Sequence, residues 1–137
     1  MKFNLKELDL QVIKSRAYVE AVKIYEKPST RKGREFPEIL ATCIYGQAAE
    51  VYLMTQGFAD DTRPFRDVIH PDGTPVEVKV TEGDYYVRYV LDHCKEKRLW
   101  KDSNHPDVVY VFINNKKSYE YVLHGIYVWN GEEFILH

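Results

Sequence analysis

The residues with the clearest chemical promise lie around one short turn. Asp67 comes first, then Val68-Ile69-His70, Pro71-Asp72-Gly73, Thr74-Pro75-Val76, and finally Glu77-Val78-Lys79. The flanking segments alternate as strands do, and a three-residue loop ending in glycine suits a turn closed by a left-handed residue. If Pro71-Asp72-Gly73 is the whole loop, His70 pairs with Thr74 and Asp67 lies directly opposite Glu77. Opposed side chains in such a pair are about 5 Å apart at Cβ. Two facing carboxylates repel, and a protein tolerates them where a cation sits between. Lys79 shares the face of Glu77, because the pleat returns every second residue to one side. Val76, Val78 and Val80 point the other way, into a core. A two-residue Asp72-Gly73 turn would shift the register and turn Asp67 away. The competing reading for Glu77 and Lys79 is an ordinary solvated strand.

These residues need elements to hold them. A helix is expected from about Leu10 to Glu26, broken by Pro28-Ser29-Thr30-Arg31-Lys32-Gly33. Its apolar positions are Val12, Ile13, Tyr18, Val19, Val22 and Ile24. A second helix is expected from about Glu35 to Gln56, with Pro37 in its first turn and Gly57 as its stop. Its apolar stripe is Phe36, Leu40, Cys43 or Ile44, Val51 and Met54, and Gln47 and Glu50 lie along its edge one turn apart. After a polar connection (Phe58 to Pro64) come strands over Phe65–His70 and Thr74–Val80. A helix follows over Asp84 to Trp100, with Tyr86, Tyr89, Val90, His93 and Cys94 on one face, which makes His93 a core histidine. Asp107–Ile113 has almost no polar alternation, as expected of a strand at a sheet centre. The tail reads as a hairpin, Tyr121–Trp129 and Glu132–Leu136, about Asn130-Gly131. The order predicts an α/β (α+β) fold: a central mixed sheet flanked by helices, with a C-terminal β-hairpin. The 137 residues suit one domain, divided into an N-terminal helical region (about 10–34), a core (about 35–113) and the hairpin (about 119–137).

Asp67, nine intervening residues, then Glu77-Val78-Lys79 resembles the signature of the PD-(D/E)XK nuclease superfamily. The surrounding order is similar too: a helix carrying Glu50, the Asp67 strand, the adjacent Glu77–Lys79 strand, a helix from Asp84, and the strand Val108 to Ile113. The resemblance spans about Glu35 to Ile113. Two departures stand out. Only Phe58 to Pro64 is available for the strand that usually precedes the Asp strand, and Arg66 occupies the place of the motif's proline. The resemblance implies a restriction-endonuclease-like fold and Mg²⁺-dependent cleavage of DNA, with Mn²⁺ a substitute. Asp67, Glu77 and the Val78 carbonyl would bind the metal. Lys79 would orient or activate the attacking water and stabilise charge on the phosphate. Glu50 would support the metal, and Gln47, facing the same way, is a candidate to back the site.

Composition bounds this reading. The chain is 45% hydrophobic and 29% charged, with a net charge of −2, which does not advertise a nucleic-acid binder. The cations nevertheless cluster: Lys27, Arg31, Lys32 and Arg34; Lys95, Lys97, Arg98 and Lys101; Lys116 and Lys117. Each run also reads as plain solvated surface. No apolar run approaches the roughly 20 residues that span a bilayer, and the N-terminus lacks a secretory pattern, so a cytoplasmic protein is expected, a phage-encoded one included. Cys43 and Cys94 read as buried thiols. The five histidines include no pair at zinc-like spacing. His70, beside the turn, is a weaker candidate for touching substrate. Tyr85, Tyr86, Tyr89, Tyr119 and Tyr121 could stack on bases if exposed or pack in the core. The expected partners are DNA and a second copy of the chain, since one site cuts one strand. The alternatives are a catalytically inactive DNA- or protein-binding module on the same fold, and a small interaction protein whose hairpin carboxylates are merely solvated.

Overall fold

Helix α1 (Leu10–Glu26) starts where the Asp9 carboxylate accepts the N–H groups of Gln11 and Val12, satisfying donors that a helix start leaves unpaired. The computed structural model describes residues 1–99, 104–115 and 118–137. One turn of helix, α2 (Pro28–Arg31), follows α1, and then comes α3 (Phe36–Thr55). Gly57, at φ +96°, ends α3: its N–H donates to the Met54 carbonyl and the Phe58 N–H to the Leu53 carbonyl, the paired closure that favours glycine.

The strands are β1 (Lys2–Asn4), β2 (Ala59–Asp60), β3 (Val68–Ile69), β4 (Pro75–Thr81), β5 (Val108–Ile113), β6 (Glu120–Trp129) and β7 (Phe134–Leu136), with α4 (Val87–Arg98) between β4 and β5. They form one seven-stranded sheet in the order β1-β6-β5-β4-β3-β2, with β7 also on β6. Only β4 and β5 run parallel, and α4 makes the crossover between them that a parallel pair requires.

Helices cover both faces. Val76, Val78, Tyr110 and Phe112 pack with Ala48, Ala49, Val51 and Leu53 of α3 and Ile13 of α1. On the other face Val109, Val111, Tyr127 and Phe134 lie under Val87, Leu91 and Cys94 of α4. Ala17 and Ala21 of α1 meet Ile39 and Cys43 of α3. Each fully buried valine or phenylalanine contributes roughly 1.5–3 kcal/mol of apolar burial. The fold is therefore mixed α/β with a central mixed sheet flanked by helices. Among the described residues no helix is long and apolar enough to cross a membrane.

Several expectations need correction. The strand expected over Phe65–His70 is only Val68–Ile69. Phe65 adopts φ +67° and the Arg66 N–H turns back to the Arg63 carbonyl, so the chain is still turning there. The polar connection supplies the very short β2. β1 was not foreseen; it pairs with β6. In α1, Val12, Tyr18 and Val19 are exposed while Ile13, Ala17 and Ala21 are buried: close packing of two helices selects the small residues. In α4 the buried face is Val87, Leu91 and Cys94. His93 is thus on the solvent side with about half its side chain exposed, and Tyr85 and Tyr89 are exposed. The last hairpin has a longer loop than Asn130-Gly131 alone, closed by the Asn130 N–H on the Glu133 carbonyl. Trp100, Lys101, Lys116 and Lys117, which belong to an expected helix end and two basic clusters, lie outside the described residues.

Candidate active site

Strand β4 has two unlike edges. Along one, every residue from Val76 to Thr81 is in register with β5. Along the other, only Pro75 and Val76 are in register with β3. Pairing of Val68 with Val76 and Ile69 with Pro75 makes Pro71-Asp72-Gly73 the complete loop. The His70 N–H donates to the Thr74 carbonyl at 2.8 Å and the Gly73 N–H to the His70 carbonyl at 2.8 Å. Gly73 has φ +93°, a conformation that suits glycine. The register carries Asp67 opposite Glu77, although Asp67 lies just outside the paired part of β3. Its Oδ2 accepts the Val78 N–H at 2.7 Å, so a side chain takes over where the backbone ladder stops. Peptide groups alternate between the two edges of a strand, so the Val78 carbonyl faces the Asp67 side too.

Beside that edge runs a cleft of about 1170 Å³, bounded by α1, α3, β4 and α4. Glu50 and Gln47 project from α3 and are buried. Gln47 donates to Glu20 Oε2 at 2.6 Å and to Glu50 Oε2 at 3.1 Å. Arg16 of α1 donates to Gln47 Oε1 at 2.8 Å, and it pairs with Glu50 at 3.4 Å and Asp60 at 3.0 Å. Burial, with Asp67 and Glu20 nearby, pushes Glu50 up to about 9 despite Arg16. Burial also pushes Asp67 up to about 6; the Val78 N–H and Lys79 hold it down, and Glu77 and Glu20 add to the rise. Glu50 and Asp67 thus sit where their surroundings do not fully offset a negative charge.

The other wall is cationic. Lys79 Nζ lies 3.1 Å from Glu77 Oε1. Burial works against its charge, yet Glu77 and Asp67 outweigh this and hold Lys79 above the ordinary lysine range. Lys97 of α4, Arg34 and His105 also line the cleft. The Phe65 ring lies over His105, centroids 4.7 Å apart.

The fold therefore brings Asp67, Glu77, Val78, Lys79 and Glu50 to one cleft, and Gln47 directly behind Glu50. It does not bring His70 there: its Nδ1 accepts the Asp72 N–H at 3.1 Å and its ring meets Phe58, so it braces the turn. Burial pushes the thiols of Cys43 and Cys94 up to about 12, as expected of inert buried thiols. Sequence reasoning missed Arg16, Glu20, Lys97 and His105. Arg16 and Glu20 lie four apart on one helix face, a visible spacing with nothing to say which face meets α3. His105 gave no local signal.

Among the described residues no group of three or more His, Cys, Asp and Glu side chains is arranged to hold a metal ion. Mg²⁺ commonly takes only one or two protein carboxylates and completes its shell with water and phosphate. The oxygen donors Asp67 and Glu77, facing one cleft, fit that mode. No protein-family model, curated protein or solved structure matches this chain.

Proposed function

We propose that this protein is a Mg²⁺-dependent endonuclease acting on DNA, with a site of the PD-(D/E)XK kind on a restriction-endonuclease-like core, and that it works as a homodimer. One observation carries the reading: Asp67, Glu77 and Lys79 gather at the open half of β4, with Glu50 in the same cleft. The order α3-β2-β3-β4-α4-β5 supports the reading, since the resemblance implies a helix, the Asp strand, the adjacent Glu-x-Lys strand, a helix and a further strand in that sequence. The homodimer rests on need: one site cuts one strand, and a domain of 137 residues has little surface with which to grip a duplex alone.

Asp67, Glu77 and the Val78 carbonyl would hold the divalent cation. Bound there, it would acidify the attacking water and offset negative charge on the phosphate. The protein's own groups divide the remaining work. Lys79, held charged by Glu77, places a fixed ammonium toward the phosphate. That firm protonation makes it a charge stabiliser rather than a proton acceptor. Gln47 and Arg16 fix the rotamer of Glu50, whose carboxyl would ionise once a cation offsets its crowding. The valine face of β4, packed under α3, keeps the strand rigid, and the site depends on sub-ångström placement.

The test is incubation with supercoiled plasmid and Mg²⁺, repeated with Asp67→Ala and Lys79→Ala. Nicking or linearisation by the wild type, lost in both variants, is expected. Failure to cut any DNA form, branched substrates included, would rule the reading out. A second reading has its own observation: Glu20, Glu38, Glu50, Asp67, Glu77 and Glu82 line the cleft against Arg34, Lys79 and Lys97. That balance suits a catalytically inactive module that binds a basic protein segment. Binding of a Lys/Arg-rich peptide that Mg²⁺ does not displace would favour it.

A further inference from the structure

Among the described residues, the mechanism above leaves two cleft-lining cations unused, Lys97 and Arg34, and Arg34 donates to the Arg31 and Thr30 carbonyls. Lys97 sits one turn after Cys94 on α4, and Cys94 is packed into the interface with Val109 and Val111. Its place on that inward face carries it to the cleft wall, beside Lys79, Glu77 and His105. The other described members of the same basic run go elsewhere. Arg98 pairs with Asp107, and Lys95 does not line the cleft. The fold thus selects one lysine from a run that reads as uniform surface charge.

We propose that Lys97 and Lys79 together form an anion subsite that takes a phosphate group of the substrate. Lys79 and Lys97 line the same cleft, together with Glu77, and Lys79 is near enough to act on the charge of Lys97. Like charges so placed repel unless an anion lies between them. Glu77 is ion-paired with Lys79 and also attracts Lys97, so one carboxylate serves two ammonium groups. Among the described residues no carboxylate forms an ion pair with Lys97. Burial, and then Lys79, hold Lys97 below the ordinary lysine range, with Glu77 opposing them.

On the opposite wall the carboxyl groups of Asp67, Glu50 and Glu20 are crowded together, and a cation there would favour their charged forms. A phosphodiester accompanied by a divalent cation satisfies both walls at once: its oxygens reach the two ammonium groups while the cation reaches the carboxylates. Lysine suits this, being a compact point charge with three donors. That the phosphate belongs to DNA rests on the nuclease reading. The anion subsite itself does not.

Two measurements test the proposal. The first is cleavage kinetics of wild type, Lys97→Gln, Lys97→Arg and Lys95→Gln. Loss of one charged phosphate contact predicts a kcat/KM about ten- to a hundredfold lower for Lys97→Gln. Lys97→Arg should recover most of that loss, since it restores the charge, and Lys95→Gln should match wild type. The second uses the wild-type chain without divalent cation. Its lysines are reductively ¹³C-methylated, and the Lys97 signal, assigned with Lys97→Arg, is followed while inorganic phosphate is added. A saturable shift at Lys97 and Lys79 but not at Lys95 is expected. A Lys97 signal that moves no more than Lys95 overturns the subsite, whether or not Lys97→Gln folds. Cleavage by the wild type with full activity in Lys97→Gln overturns it as well and leaves the nuclease reading standing. A shift at Lys97 in a chain that cuts no DNA upholds the anion subsite and removes the nuclease.

Discussion

The two walls of the cleft are built from different materials. The acidic wall is assembled from three distant segments: α1 gives Glu20 and Arg16, α3 gives Gln47 and Glu50, and the turn before β3 gives Asp67. The basic wall comes from one crossover unit, β4 and α4, which gives Lys79 and Lys97. Removal from water disfavours charge on both walls. On the basic wall Glu77 compensates for Lys79, which stays charged. On the acidic wall the single Arg16 cannot compensate for three carboxylates, and Glu50 and Asp67 rise. The contrast teaches that the site is charge-separated by design of the fold. The proposed cation on one side and anion on the other would both lower its free energy.

Four results would break or sharpen that contrast. The largest concerns activity. Asp67→Asn and Lys79→Ala act on opposite walls, and each should lower Mg²⁺-dependent plasmid cleavage about 10²–10³-fold. Equal activity in either variant would mean that its wall takes no part.

The next result concerns pH. Glu50 is pushed to about 9 from an ordinary value of 4.5. Between those values the folded chain keeps a proton that the unfolded chain has released, so stability falls as pH rises through that window. Asp67, raised to about 6 from 3.8, acts in the same direction over its narrower range. Glutamine does not titrate. Glu50→Gln should therefore gain on wild type as pH increases, by on the order of 1–3 kcal/mol at pH 8. Urea unfolding without divalent cations at pH 5 and pH 8 measures it. A difference that is the same at both pH values contradicts a crowded acidic wall.

A cation should relieve the same wall. Mg²⁺ at ten to a hundred times its dissociation constant should stabilise the wild type by about 1.4–2.7 kcal/mol. Asp67→Asn should lose that gain. Thermal melting with and without Mg²⁺ reads it, and an unchanged midpoint in the wild type counts against cation binding. The smallest expected effect is at Gly73, where φ is +93° and nothing crowds the position. Gly73→Ala should cost about 1 kcal/mol of strain and leave cleavage per folded molecule unchanged. A larger loss of activity than of stability would show that the turn also tunes the distance between Asp67 and Glu77.

Much of the architecture was legible in the chain. Pro28 marks the end of α1, and Pro37 and Gly57 bracket α3, because breakers and helix ends act over a few residues. The unbroken apolar run of β5 announced a central strand. Pro71-Asp72-Gly73 was legible as a three-residue loop, and through it the facing of Asp67 and Glu77, since register is settled by the turn that starts it. Glu77 and Lys79 shared a face by strand periodicity alone. Three local facts thus set out the centre of the candidate site before any long-range contact was known.

What remained depended on contacts between segments far apart in the chain. Helical spacing could not say that α1 would bury its alanines, because the choice depends on how closely α3 approaches. It could not rotate α4 to bury Val87 rather than Tyr86, which left His93 in solvent and sent Lys97 into the cleft. It could not shorten β3, because Phe65 turns only where the chain meets His105. Glu20 and Glu50, thirty residues apart, became one acidic wall only through the α1–α3 packing. Local backbone chemistry decided which residues could face one another across a turn. Tertiary packing alone decided which charges would be removed from water together, and burial is what gives those charges their force.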